Sequence, residues 1–335
     1  MAELNSLEVC AGAGGQALGL EQAGFRHAAC VEMDPHACKT LRHNRDWRVI
    51  EGDVRQLSGS KFKGIDLLAG GVPCPPFSVA GKQLGKADER DLFPEMVRLA
   101  SEIQPRAVLI ENVRGLRDPV FAGYRAHIEQ EFEDLGYAVM GWQLLHASWF
   151  GVPQLRPRVA MVALKPEYVP FFAWPVGREG PAPTVGQALL HEMARDGWEG
   201  ADAWSALASD IAPTLVGGSK KHGGPDLGPT RARQAWAKLG VDGRTLADNP
   251  PQPGHQGPVL LTVRMTAIIQ GFDPSSWEIV GRKTQAYRQV GNAFPPPVAR
   301  ALGESIAAAL EKRERTPAPD VPEVFEQEQL PVGVG

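Results

Sequence analysis

Cys74 stands in Gly70-Gly71-Val72-Pro73-Cys74-Pro75-Pro76-Phe77-Ser78. Flanking prolines exclude it from a helix interior or a central strand, so a stiff loop must present it. A thiol held this way is a candidate nucleophile once a local positive charge lowers its pKa from roughly 8.5. Glu111-Asn112-Val113 follows the apolar run Ala107-Val108-Leu109-Ile110. A carboxyl group at the end of a buried strand can carry a raised pKa and act as a general acid. In Gln154-Leu155-Arg156-Pro157-Arg158, two arginines at i, i+2 of an extended segment share one side. They can hold phosphates or a base carbonyl. Each feature alone also has a plainer reading: a small buried thiol, a strand-end acid on backbone amides, a solvated basic edge.

A glycine-rich turn, Ala11-Gly12-Ala13-Gly14-Gly15, suits close approach of a ligand to the backbone at a helix N-terminus. Glu32, at the end of the next strand, can accept from ribose hydroxyls. Asp53, where a third strand should end, can accept from an adenine amino group. The glycines do not follow G-x-G-x-x-G, which favours S-adenosylmethionine over a dinucleotide. The alternative is a tight strand-to-helix connection with a surface acid beside it.

These residues need a frame. Apolar runs predict strands at Leu7 to Cys10, His27 to Glu32, Ile65 to Ala69, Ala107 to Ile110, Ala138 to His146 and Arg158 to Leu164. Helices are expected at Gln16 to Ala23, Pro35 to Asn44, Phe93 to Ile103 and Tyr124 to Leu135, and regular structure resumes at Thr262 to Gln270 and again at Pro297 to Leu310. The alternation predicts an α/β fold, a doubly wound sheet with the candidate residues at its carboxyl edge. From 165 to 260 the chain is rich in Gly and Pro with few periodic segments. The expected division is a catalytic domain over 1–164, an irregular domain over 165–260, a returning segment over 261–312 and a mobile acidic tail over 313–335. Gly291-Asn292 is expected to be a turn, with three prolines from Pro295 starting the last helix.

The chain has 335 residues, long enough for two domains. Its apolar fraction of 43 % and charged fraction of 22 % are those of a globular protein, not a fibrous or disordered one. A net charge of −4 is not the bulk signature of a nucleic-acid binder, so such a role requires a local patch. Six Lys or Arg against two Asp between Thr214 and Arg244 supply one. No apolar run approaches a membrane span, and the N-terminus lacks a secretory pattern. The four cysteines show no C-x-x-C spacing, so a reduced cytoplasmic setting without a cysteine metal site is expected.

Taken together, the blocks resemble those of the DNA (cytosine-5) methyltransferases, mostly bacterial modification enzymes. The matching blocks are AGAGG at 11–15, Glu32, Asp53, PCPPFS at 73–78, ENV at 111–113, QLRPR at 154–158 and QAYRQVGNAF at 285–294, in the family's order. The resemblance implies a Rossmann-like S-adenosylmethionine methyltransferase sheet with a smaller target-recognition domain at 165–260. It implies that a cytosine is flipped from double-stranded DNA, with Cys74 adding to C6, Glu111 protonating N3, and Arg156 and Arg158 completing the catalytic set. It places S-adenosyl-L-methionine against Cys10, Gly12, Ala13, Gly14, Gly15, Glu32, Met33, Asp53, Val54, Pro73, Leu92 and Asn292. DNA would meet Ser78, Gln83, Arg90, Gln154, Thr214, Lys220, Lys221, Arg231 and Arg233. Two positions depart from the family pattern: Cys10 replaces an aromatic residue and Met33 a Trp or other bulky one. A monomer is implied, with a cognate restriction endonuclease that forms no stable complex with it.

Three rival readings stand beside this one. A tRNA cytosine-5 methyltransferase shares the catalytic blocks, but that branch carries a cysteine-containing element in its recognition region, and no cysteine follows Cys74. A silent DNA-binding homologue should lack the Pro-Cys or ENV residues. A nicotinamide oxidoreductase does not call for Cys74 with Glu111.

Overall fold

In the computed structural model the described residues are 3–73, 91–217 and 224–314. Cys74, Ser78, Gln83, Arg90, Lys220 and Lys221 lie outside them, as does all but the first two residues of the expected acidic tail.

The first half alternates as its apolar runs require. The strands are β1 (Leu4–Val9), β2 (Phe25–Glu32), β3 (Val49–Glu51), β4 (Leu67–Gly70) and β5 (Ala107–Val113), followed by β6 (Ala138–His146) and β7 (Pro157–Leu164). Between them run the helices α1 (Gly15–Gln22), α2 (Pro35–Asn44), α3 (Phe93–Ile103) and α4 (Ala122–Asp134). They form one seven-stranded sheet in the order β3-β2-β1-β4-β5-β7-β6. The first five are parallel to one another, and β7 runs antiparallel to both β5 and β6.

Central strands buried on both faces account for the unbroken apolar runs. On one face, Leu7, Val9, Leu68, Val108 and Ile110 pack with Phe93 and Met96 of α3 and Phe132 of α4. On the other, Leu67, Ala69, Leu109 and Val162 pack with Leu20 of α1 and with Val298, Leu302 and Ile306 of α10 (Pro296–Leu310). The last helix therefore covers the sheet beside the first one.

Three departures from the sequence expectations have physical causes. β5 continues beyond Ile110 through Val113, because Glu111, Asn112 and Val113 pair with Ala160, Val159 and Arg158 of β7. The segment expected to be irregular contains α5 (Val185–Ala194), α6 (Ala201–Leu207) and α7 (Thr230–Lys238). They stand among Gly- and Pro-rich connections and bury a few large anchors, among them Met193, Trp204 and Trp236. Third, Gly291 and Asn292 do not turn. They end α9 (Lys283–Asn292), which follows α8 (Val263–Ile269). A side chain at Gly291 would collide with the Gly217 backbone, so this glycine permits a close approach of two chain segments.

Candidate active site

The glycine-rich turn leaves β1 through Cys10 (φ 53°), Gly12 (φ 54°) and Gly14 (φ 84°). Gly14 is the N-cap of α1 and has no side chain to cap it. Its left-handed backbone and the ring of Trp277, 2.5 Å from where a Cβ would stand, both demand glycine. Trp277 also donates from Nε1 to the Ala13 carbonyl (3.1 Å). A Cβ on Gly12 would meet nothing within 4 Å, so that side of the turn is open. A Cβ on Gly15 would run into the Phe294 carbonyl, which brings the segment after Asn292 against the turn.

Glu32 ends β2, and its carboxylate accepts from Gly12 N (2.7 Å) and Asp34 N (2.7 Å). This acid shapes the turn, and each oxygen keeps a second lone pair for a ligand. Met33 beside it is 63 % exposed. Asp53 follows β3 and accepts from the Arg55 backbone (3.0 Å) while pairing with its guanidinium (2.7 Å). These hydrogen bonds hold the Asp53 carboxyl below its usual range. Val54 beside it is buried. Leu92 N donates to the Pro73 carbonyl (3.3 Å), which joins the chain on either side of 74–90. Asn292 lies at the end of α9, its Oδ1 facing Gly217.

The remaining cysteines are poor nucleophiles. Burial, together with the charges of Glu32, Glu8 and Asp53, pushes the Cys10 thiol up to about 12. Burial first, and acidic neighbours second, also raise Cys30, and raise Cys38 to about 12.

Glu111 and Arg158 form the polar centre of the carboxyl edge. Arg158 Nε lies 3.1 Å from Glu111 Oε1, with side chains 12 % and 11 % exposed. Burial raises the Glu111 pKa, against the opposing attraction of Arg158 and Arg156. The group therefore retains its proton to higher pH than an ordinary carboxyl, which suits an acid. Asn112 Nδ2 donates to the Val72 carbonyl (2.8 Å). This bond ties β5 to the segment entering Cys74, two residues further along the chain.

The two arginines of QLRPR do different work. Arg156 is fully buried. Its guanidinium donates to the carbonyls of Leu215 (2.8 Å), Gly291 (2.6 Å) and Ala293 (3.0 Å). Gln154, also fully buried, donates to the Ile269 carbonyl (3.1 Å) and accepts from Leu215 N (2.8 Å). The geometry therefore corrects two expectations: Arg156 is a positioning residue rather than a catalytic one, and Gln154 offers no atom to DNA. Both side chains are consumed by backbone groups that would otherwise be left unpaired in the interior. The signal was weak, since spacing puts two arginines on one side but says nothing about what lies there.

The scan against protein families matches the model of the C-5 cytosine-specific DNA methylases over residues 4–308. The chain belongs to that family. It is 59 % identical over 317 residues to the Type II methyltransferase M.NaeI of Lentzea aerocolonigenes, covering 92 % of this chain and 76 % of that one. It is 54 % identical over 318 residues to M.NgoMIV of Neisseria gonorrhoeae, covering 92 % and 99 %. Among solved structures, a DNMT2 mutant of Spodoptera frugiperda superposes with a TM-score of 0.62 at 17 % identity, covering 91 % and 99 %, a likeness of fold.

The protein is thus a cytosine-5 DNA methyltransferase that uses S-adenosylmethionine. The carboxyl ends of β1, β2 and β3 suit that group: an open glycine turn, a buried acid with free lone pairs, and a second acid at Asp53. Asp53 must share its carboxylate with Arg55, which the sequence did not reveal.

Of the basic residues assigned to DNA, Arg231 is exposed and Arg233 half-buried, both on α7. Two residues apart on a helix lie about 200° apart, so they do not face one surface together. Thr214 Oγ1 donates to the Leu155 carbonyl, fixing the chain between β7 and α7. Arg244, counted in the basic stretch, is paired with Asp242 at 2.6 Å. A cavity of about 430 Å³ lies away from this centre, lined by His36, Lys39, Val280, Gly281, Arg282 and Gln285. Among the described residues no helix is long and apolar enough to cross a membrane, and no cluster could hold a metal ion.

Proposed function

We propose that this methyltransferase modifies one cytosine within a short, specific sequence of double-stranded DNA. The observation that carries the reading is the buried Glu111–Arg158 pair at the carboxyl edge, joined through Asn112 to the segment that leads into Cys74. A cytosine ring must leave the base stack to reach such a centre. Cys74, as thiolate, adds to C6 of that ring. Protonated Glu111 donates to N3, drawing off the charge that the addition delivers, and Arg158 contacts the O2 carbonyl. The ring then has enamine character and C5 becomes nucleophilic. S-adenosylmethionine, when bound, supplies an electrophilic methyl group on a positively charged sulfur. After C5 is methylated its proton is lost, the C6–sulfur bond breaks and Cys74 leaves as thiolate.

In this reading residues 1–164 with 261–312 form the catalytic body, and 165–260 recognise the target. Cys10, Gly12, Ala13, Gly14, Gly15, Glu32, Met33, Asp53, Val54, Pro73, Leu92 and Asn292 surround the methyl donor. Ser78, Gln83, Arg90, Thr214, Lys220, Lys221 and Arg231 approach DNA, whereas half-buried Arg233 faces away from the surface that Arg231 presents. The protein acts as a monomer in the bacterial cytoplasm, on nucleoid DNA, as the modification half of a restriction system.

The test is base-resolution mapping of 5-methylcytosine in DNA from a methylation-free bacterial host expressing the chain. We expect one short methylated sequence, absent when Cys74→Ser is expressed instead. Undiminished methylation by the folded variant would remove Cys74 from the mechanism, and methylated RNA with unmethylated DNA would reverse the substrate assignment.

A further inference from the structure

Of the described buried acids that the mechanism does not use, Asp66 and Glu192 are paired with arginines, and Glu8 is not. Glu8 is the penultimate residue of β1, fully buried, between Leu7 and Val9 on the opposite face. Neither of its carboxyl oxygens has a hydrogen-bond partner among the described residues. Gln16, in the first turn of α1, is 3 % exposed, and both polar atoms of its amide also lack partners there. Unpaired polar groups at this depth are costly and call for an explanation.

The sheet register shows where they converge. Glu8 stands beside Ala69 of β4, which stands beside Leu109 of β5. Two residues further along the same face come Gly71 and Glu111. Gly71 has no side chain, and Glu111 Oε2 and Gln16 Oε1 lie 3.0 Å and 3.8 Å from where its Cβ would stand. Arg158 engages the other oxygen, Oε1. Oε2 of the catalytic acid and a buried amide without a partner among the described residues thus share one small space, with a buried carboxyl in the same state on the same sheet face. The titratable groups facing Glu8 are the Cys10 and Cys30 thiols and Glu111. Among the described residues no cation pairs with it, and burial, reinforced by the charge of Glu111, keeps it protonated.

We propose that Glu8 and Gln16 are positioning residues for Glu111: neutral Glu8 and the Gln16 amide hold Glu111 from beneath, through Oε2, when cytosine engages it from the cleft. Hydrogen bonds of this kind are often long without substrate and tighten in the reacting complex. A protonated carboxyl can donate where an ionised one only accepts. Arg158 on Oε1 and this pair on Oε2 would together fix both oxygens of the acid that must meet N3. The arrangement trades stability for geometry, as buried polar groups at active sites do.

The inference rests on the function proposed above. Its test uses the full chain and duplex DNA carrying 5-fluorocytosine at the methylated position, where fluorine cannot leave as a proton does and the C6–sulfur adduct persists. The rate of adduct formation is measured with saturating DNA and S-adenosylmethionine, beside thermal stability and the affinity for each ligand. We expect Glu8→Leu to slow adduct formation by about tenfold or more, the scale of a misplaced catalytic group, without lowering Tm or either affinity. Glu8→Gln, which keeps a neutral donor, should restore nearly the wild-type rate. Gln16→Met should be slow like Glu8→Leu, and it decides the matter should Glu8→Leu not fold. A wild-type rate in folded Glu8→Leu, or in Gln16→Met where it decides, overturns the proposal. So does a Glu8→Gln protein as slow as Glu8→Leu, since ionisation rather than donation would then matter. Absence of any adduct from the wild-type protein overturns the parent function as well, which separates the two failures.

Discussion

Arg158 acts on Glu111 in two opposed ways. It orients the carboxyl group, and its positive charge favours the ionised form that burial disfavours. Removing it leaves only the more weakly acting Arg156 to oppose burial, so the Glu111 pKa must rise further. We expect Arg158→Ala to lower kcat while moving the limb of kcat/KM lost with rising pH to higher pH. The protonated acid persists longer in that variant. A pH–rate profile checks this, and a limb that stays in place or moves down contradicts Glu111 as the acid. The glutamate was legible in the sequence because it ends a long apolar run. Its partner was visible only as one of two arginines in a short segment, and nothing in their spacing told the buried tether from the charge at the centre. Glu8 gave one signal, an acid amid the apolar residues of β1, but a signal without a partner in the sequence has no stated role.

At the scale of elements, the chain is held at its crossing points by side chains acting on distant backbone. Arg156 serves three carbonyls, one 59 residues away at Leu215 and two 135 and 137 residues away at Gly291 and Ala293. Gln154 joins the same network, and Gln270 donates to the Ala293 carbonyl as well. The network links the entrance of β7, the chain after Ala212 and the junction of α9 with α10. Arg156→Ala would strand these carbonyls in the interior. We expect a loss of about 3 kcal/mol in unfolding free energy, the upper range for hydrogen bonds to a charged group. Denaturant titration measures it, and a variant as stable as the wild type would remove the tethering role. Helices with strong patterns were readable here: α2 and α3 begin with proline near their starts and bury one clear stripe. The capping pair Thr184 and Gln187 of α5 was equally present in the sequence. Gly and Pro dominate its surroundings, and its neighbours α6 and α7, each anchored by a single tryptophan, carry little periodic signal.

For the whole molecule, a net charge of −4 must be reconciled with a polyanionic substrate. Only a local concentration of positive charge achieves this, and α7 carries part of it. Arg231 is exposed at its first turn. Each phosphate contact releases counterions, so we expect Arg231→Ala to weaken binding alike on methylatable and unrelated duplexes. The slope of log K against log salt should fall by about one. An unchanged slope in a binding titration would take Arg231 out of the DNA contact. Residue types and local patterns in the sequence were enough for the family, the order of its blocks, the parallel part of the sheet and the carboxyl edge at which Glu111, Glu32 and Asp53 stand. Those conclusions depend on residue type, local periodicity and chain direction, which are all local. Only the tertiary structure decided that Arg158 and not Arg156 meets the acid, that Gln154 is sealed inside, that Gly291 continues a helix, and that Glu8 lies unpaired on the sheet face that carries Glu111. Each of these depends on the register between strands or on contact between segments far apart in the chain, and pairing at that distance leaves no mark in local sequence.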